Sequence, residues 1–161
     1  LRESITGITL DIVCVEPDKI NAALAVRNSS ATVLTAAIGP FVGSCSPIGD
    51  LDTPSNAYQF AYDSNGSIDV ITIDSIISER NSIPFILKID IEGFEKDLFF
   101  FRQDYLQKFA IIIIELHDWM LPCASVSSGY LRQIADLEFD VCVKGENLVC
   151  FNPLWSPLHD H

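Results

Sequence analysis

The run Phe109-Ala110-Ile111-Ile112-Ile113-Ile114-Glu115-Leu116 decides how this chain folds. Four consecutive β-branched residues favour extended backbone, because their χ1 stiffness suits a pleated surface better than a helix. The run shows no apolar–polar alternation, so both faces of the strand need cover, as in a parallel strand inside an α/β sheet. It contains Glu115 and falls far short of the roughly 20 apolar helical residues that cross a bilayer, so no membrane span is expected.

Upstream, after Pro84, Phe85 to Ile91 is a second nearly continuous apolar run, broken by Lys88 and Asp90. Lys88 in such a strand is expected to be buried and to pair with Glu115 on the neighbouring strand, since a buried ammonium needs a partner. Phe94 to Leu106 is amphipathic and predicts a helix between the two runs. Strand, helix, strand in this order predicts a parallel pair. Downstream, Ser127 to Leu137 predicts a helix. Glu138 to Val143 and Leu148 to Phe151 then predict a hairpin around Gly145-Glu146-Asn147.

Toward the N-terminus, Gly7 to Val15 predicts a strand ended by Glu16-Pro17-Asp18. Pro17 keeps Glu16 out of helical geometry and is suited to open a helix at its first turn. Asp18 to Asn28 carries Ile20, Ala23, Leu24 and Arg27 at helical spacing. Ala31 to Ile38 predicts a short strand closed by Gly39-Pro40. Phe41 to Asn56 holds Gly43, Ser44, Ser46, Pro47, Gly49 and Pro54 and reads as a loop. Tyr58, Phe60 and Tyr62 alternate ahead of Asn65-Gly66, with Ile68 to Ile73 beyond, which predicts another hairpin. Asp74 to Glu79 predicts a short helix. The order as a whole predicts an α/β fold, with a mostly parallel sheet, helices on both faces and an antiparallel C-terminal strand.

The 161 residues are enough for one domain with a real core. The formal net charge of -12 opposes phosphate backbones, so no nucleic acid is expected as a partner. The 5 cysteines are odd in number and lack metal-ligand spacing. They read as buried thiols in a reducing compartment, and with no signal peptide the expected location is cytoplasmic. His159 and His161 read as a disordered tail, and no metal-ligating set is assigned, although clustered carboxylates suit Mg²⁺.

In open parallel sheets ligands bind beyond the carboxyl ends of the strands. Glu16 follows the first strand, Asp90 and Glu92 with Gly93 follow the Phe85 strand, and Glu115, His117 and Asp118 close the isoleucine strand. An acidic residue after a strand, in the position of Glu16, accepts hydrogen bonds from ribose hydroxyls, which suits either a nicotinamide dinucleotide or S-adenosylmethionine. His117 has an ordinary pKa suited to a general base, and equally suits capping the loop after a buried strand.

Val15-Glu16-Pro17-Asp18 with Asn28 one helix later, Ala37-Ile38-Gly39, Ile71 to Ser75, Leu87-Lys88-Ile89-Asp90-Ile91-Glu92-Gly93-Phe94-Glu95 and Ile113 to His117 come in one order. This strongly resembles the FkbM family of S-adenosylmethionine-dependent methyltransferases, whose hallmark is a strand ending in Lys-Ile-Asp-x-Glu-Gly-x-Glu. The resemblance runs from about Leu10 to Asp118. It implies a Rossmann-like class I methyltransferase fold and methyl transfer to a hydroxyl oxygen of a sugar or polyketide-like small-molecule acceptor. The implied cofactor is S-adenosylmethionine, with Glu16, Pro17 and Asp90 as the cofactor-binding candidates. Asp90, Glu92, Glu115 and His117 are the catalytic candidates.

The family's first strand leads into a glycine-rich loop, often Asp-x-Gly-x-x-x-Gly, and the sequence holds no such motif. Gly39-Pro40-Phe41-Val42-Gly43 follows a different strand and contains proline. The first strand is therefore expected to be missing, with residues 1–161 forming one N-terminally incomplete domain. The competing expectation is a catalytically inactive methyltransferase-like domain acting in binding or as a structural module. A nucleotide-dependent oxidoreductase shares the Glu16 logic but leaves Lys88 to Glu95 unexplained. A homo-oligomer is compatible with either reading.

Overall fold

A computed structural model describes residues 9–48, 59–92 and 94–157. Gly7 and Ile8 of the expected first strand, residues 49–58, Gly93, His159 and His161 lie outside the described residues. The chain divides into two compact units, Leu1–Thr72 and Ile73–His161. Among the described residues no helix is long and apolar enough to cross a membrane.

In the second unit the isoleucine run forms strand β8 (Ile111–Glu115), as expected. Ile112 and Ile114 are completely buried, while Ile111 and Ile113 are half-buried. Strand β7 (Ile86–Ile89) lies parallel to β8, with Ile89 opposite Ile114. The hairpin β9 (Asp140–Lys144) and β10 (Asn147–Phe151) turns through Gly145 at φ 63, a left-handed angle that glycine adopts without steric cost. β10 pairs antiparallel with both β8 and β9, giving the order β7-β8-β10-β9. This sheet is mixed rather than mostly parallel, and its C-terminal strands are antiparallel as expected.

Helix α4 (Ser128–Asp136) buries Tyr130 and Ile134. Tyr130 stacks at a tilt on Phe99, with ring centroids 4.9 Å apart, and its hydroxyl meets Cys150 Sγ at 3.2 Å. A side chain at Gly129 would collide with the Phe99 carbonyl, so only glycine lets α4 approach this closely. The tail closes the other end of the sheet: Trp155 Nε1 donates to the carbonyls of Pro84 and Lys108, at 3.2 and 3.0 Å.

One helix over Phe94 to Leu106 is not what forms. Helix α3 covers only Glu95–Leu98, and a 3-10 turn covers Asp104–Lys108. Between them, side-chain amides replace the missing helical hydrogen bonds. Gln103 Nε2 donates to the Leu98 carbonyl at 2.8 Å. Gln133, on α4, donates to Phe99 and Phe101 at 3.1 and 3.0 Å and accepts from the Gln103 amide at 2.7 Å. Backbone groups satisfied this way no longer need to continue the helix. Helix α2 (Ile73–Ser78) matches the expected short helix.

In the first unit, β1 (Val13–Val15) and β2 (Thr32–Leu34) are parallel and joined by α1 (Lys19–Asn28). Asp18 caps α1, accepting from Ile20 and Asn21 at 2.8 Å each. Pro17 precedes that cap and therefore does not open the helix. The expected strand over Ala31 to Ile38 splits, because β3 (Ala37–Ile38) joins a different sheet from β2. The stretch read as loop contains strand β4 (Gly43–Ile48), despite its serines and Pro47. β4 pairs antiparallel with β6 (Ile68–Ile71) through Gly43–Cys45 and with β5 (Gln59–Tyr62) through Cys45–Ile48. The hairpin expected between β5 and β6 is thus replaced by pairing of both with β4. β3 runs parallel to β6, so this sheet is also mixed. Its core is Ala37, Cys45 and Val70, with Phe60 and Ile68 packed against them.

Candidate active site

β7 and β8 run parallel and in register, so Asp90 and Glu115 emerge from neighbouring strand ends. Side chains alternate along each strand, and this pleat puts Lys88, Asp90 and Glu115 on one face. Two residues past Glu115, His117 is 1 % exposed. Its Nδ1 lies 2.6 Å from Glu95 Oε1, a separation that needs a shared proton between them. Glu95 is itself completely buried, and its Oε2 has no hydrogen-bond partner among the described residues.

The other ring nitrogen faces three carboxylates. His117 Nε2 lies 3.5 Å from Glu92 Oε2, 3.7 Å from Asp90 Oδ1 and 3.8 Å from Glu115 Oε1. Glu92 reaches this position from a left-handed backbone, φ 51, which strains any residue with a side chain. Burial pushes the Glu92 carboxyl above its ordinary pKa. His117 pulls it back, and Asp90, Glu115 and Glu95 add to the rise by repulsion.

Lys88 departs from expectation. Its side chain is 43 % exposed, its distance to Glu115 Oε2 is 4.0 Å, and its closer partner is Asp90 Oδ2 at 3.4 Å. β7 is an edge strand of its sheet among the described residues, so the outward face of Lys88 reaches solvent. The ammonium therefore needs no buried partner.

All four catalytic candidates, Asp90, Glu92, Glu115 and His117, come together in one cluster. Glu16 and Pro17 belong to the first unit. Glu16 is half-buried after β1, and its Oε1 accepts the Asp18 amide at 2.8 Å. Asp118 stays outside the cluster's contacts with His117 and accepts from the Ser127 amide at 3.3 Å.

The residue that sequence reasoning missed is Glu95. Its signal was present: Glu95 shares the inward face of α3 with Leu98 and Phe99, and a carboxylate on an apolar face must have a partner. A separate cavity of about 490 Å³ in the same unit is lined by Lys96, Arg102 and Arg132 among others, and by none of the catalytic candidates. Exposed Trp119 lies beside the cluster, its ring 6.4 Å from that of His117.

Chemically, the cluster can accept a proton, hold a hydroxyl by hydrogen bonds, or coordinate a cation. Asp90, Glu115 and His117 each offer a ligand atom within 4.8 Å of the others. Compared with known families, the chain matches the methyltransferase FkbM domain over residues 7–139. No curated protein and no solved structure matches it.

Proposed function

The chain belongs to the FkbM methyltransferase family, and on that premise we propose that it moves a methyl group from S-adenosylmethionine to a hydroxyl oxygen of a sugar or polyketide-like small molecule. The observation that carries this reading is the convergence of Asp90, Glu92 and Glu115 on the buried His117 at the strand ends. S-adenosylmethionine, when bound, supplies an electrophilic methyl on a sulfonium sulfur. The work left to the chain is positioning the acceptor and removing one proton.

Glu92 is the residue we assign as proton acceptor. Burial raises its pKa above the ordinary carboxylate value, and a base works best when its pKa approaches the operating pH. Asp90 and Glu115 are suited to accept hydrogen bonds from neighbouring hydroxyls of the acceptor and so orient it. His117 is too deeply buried to reach an acceptor itself, so it acts as a positioning residue for the carboxylates around it. Trp119, 72 % exposed, offers a flat apolar face of the kind that packs on a sugar ring. Glu16 is the residue suited to the ribose of the cofactor.

The second reading is an inactive domain that binds or scaffolds. Calorimetric titration of the chain with S-adenosylmethionine separates the two. Saturable heat, weakened by Glu16→Ala, is expected for the methyltransferase, whereas absence of saturation defeats it.

A further inference from the structure

The surroundings of His117 Nε2 are electrostatically unbalanced. Nδ1 is committed to Glu95, and Nε2 makes no hydrogen bond among the described residues, yet three carboxylate oxygens converge on it within 3.8 Å. The three carboxylates repel one another across the ring nitrogen, and burial of the ring weakens solvent screening. Lys88 relieves this only from outside. It faces Asp90 Oδ2 and Glu115 Oε2, leaving Oδ1 and Oε1 turned toward the imidazole.

We propose that Asp90 Oδ1, Glu115 Oε1 and His117 Nε2 bind a divalent transition cation such as Mn²⁺, with Glu95 orienting the imidazole from behind. Ligand atoms about 2.1 Å from a shared ion stand at most about 4.2 Å apart. The nitrogen lies 3.7 Å from Asp90 Oδ1 and 3.8 Å from Glu115 Oε1, inside that limit. All three atoms lie within 4.8 Å of one another, so small rotations of two part-exposed carboxylates close the site on a fixed ring. A metal-bound histidine normally donates its other N–H to a carboxylate, which is the Glu95 contact observed. One imidazole nitrogen among carboxylate oxygens suits Mn²⁺, Fe²⁺ or Zn²⁺ better than Mg²⁺ or Ca²⁺, which prefer oxygen alone.

The binding claim is independent of the methyl-transfer reading. Its use in catalysis rests on that reading: an ion in this position would draw the acceptor hydroxyl to its open coordination positions and lower the hydroxyl's pKa, with Glu92 remaining to take the proton.

The test is titration of the whole chain with Mn²⁺ in the absence of S-adenosylmethionine, followed by electron paramagnetic resonance. One Mn²⁺ per chain is expected, with electron spin-echo modulation from an imidazole nitrogen. Asp90→Asn and Glu115→Gln, both part-exposed and checked for folding by circular dichroism, should each weaken binding at least tenfold. Glu95→Gln should weaken it roughly 10–100-fold through the orientation of the ring. No stoichiometric binding, binding without nitrogen modulation, or unchanged affinity in both carboxylate variants would overturn the proposal. Cofactor calorimetry reports on methyl transfer separately, so the two ideas can fail independently.

Discussion

At the end of β1, Glu16 accepts the amide of Asp18, two residues on, and is held by local backbone. At the ends of β7 and β8, Asp90 and Glu115 instead converge with Glu92 on an imidazole supplied by a residue further along the chain. Both places read alike in sequence, as an apolar strand followed by acid. The difference lies behind the carboxylates. Glu16 is fixed by a turn alone, whereas the second cluster is built around a buried Glu95–His117 pair that fixes a ring in the core. Local hydrogen bonds make a carboxylate a cap; a long-range buried partner makes a group of them a site.

The contrast is tested most severely by removing the buried pair. Glu95→Ala leaves His117 Nδ1 without its acceptor in the core, and a loss of about 3–5 kcal/mol is expected in urea unfolding. Glu95→Gln, which keeps an acceptor oxygen, should recover part of it. A loss no larger than that of an ordinary surface substitution would erase the distinction between the two strand ends. Next in size is Gly129→Ala, where the new methyl meets the Phe99 carbonyl and pushes α4 from the segment leading out of α3. An expected cost of about 1–3 kcal/mol follows from overpacking, read by the same unfolding curve.

At the other strand end the effects should be smaller. Glu16→Ala removes one hydrogen bond from a half-buried turn and should cost about 1 kcal/mol or less, with its larger consequence in cofactor titration. The smallest effect concerns Asp63, whose carboxyl is held below its ordinary pKa by the Asn65 amide and the Ser46 hydroxyl. A depressed folded-state pKa adds stability above the unfolded value, lost as pH falls through the lower folded value. Asp63→Asn should therefore lower the thermal midpoint slightly near neutrality, by a margin that closes as pH falls through the acid range.

Much of the second unit could be read in the sequence because its elements are locally consistent. The isoleucines of β8, the Gly145-Glu146 turn and α4 each follow from short-range preference. The block from Lys88 to Glu95 carried the site and the family resemblance, and the FkbM domain match agrees with it. What stayed hidden depends on partners far along the chain. α3 ends early because Gln133, more than thirty residues on, supplies its hydrogen bonds. β4 forms from turn-prone residues because β5 and β6 both pair with it, and pairing outweighs the weak preferences of serine and proline. The exposure of Lys88 follows from an edge position that apolar content does not reveal.

The left-handed backbone at Glu92 has a bearing on how this protein would respond to selection. Glycine or asparagine at that position would relax the torsion and remove a buried-side carboxylate from a crowded negative cluster, so both changes favour the folded chain. A screen for heat resistance alone would converge on those replacements and discard the assigned proton acceptor with them. Persistence of glutamate at such a torsion would then serve as a marker of retained activity, readable from a single codon.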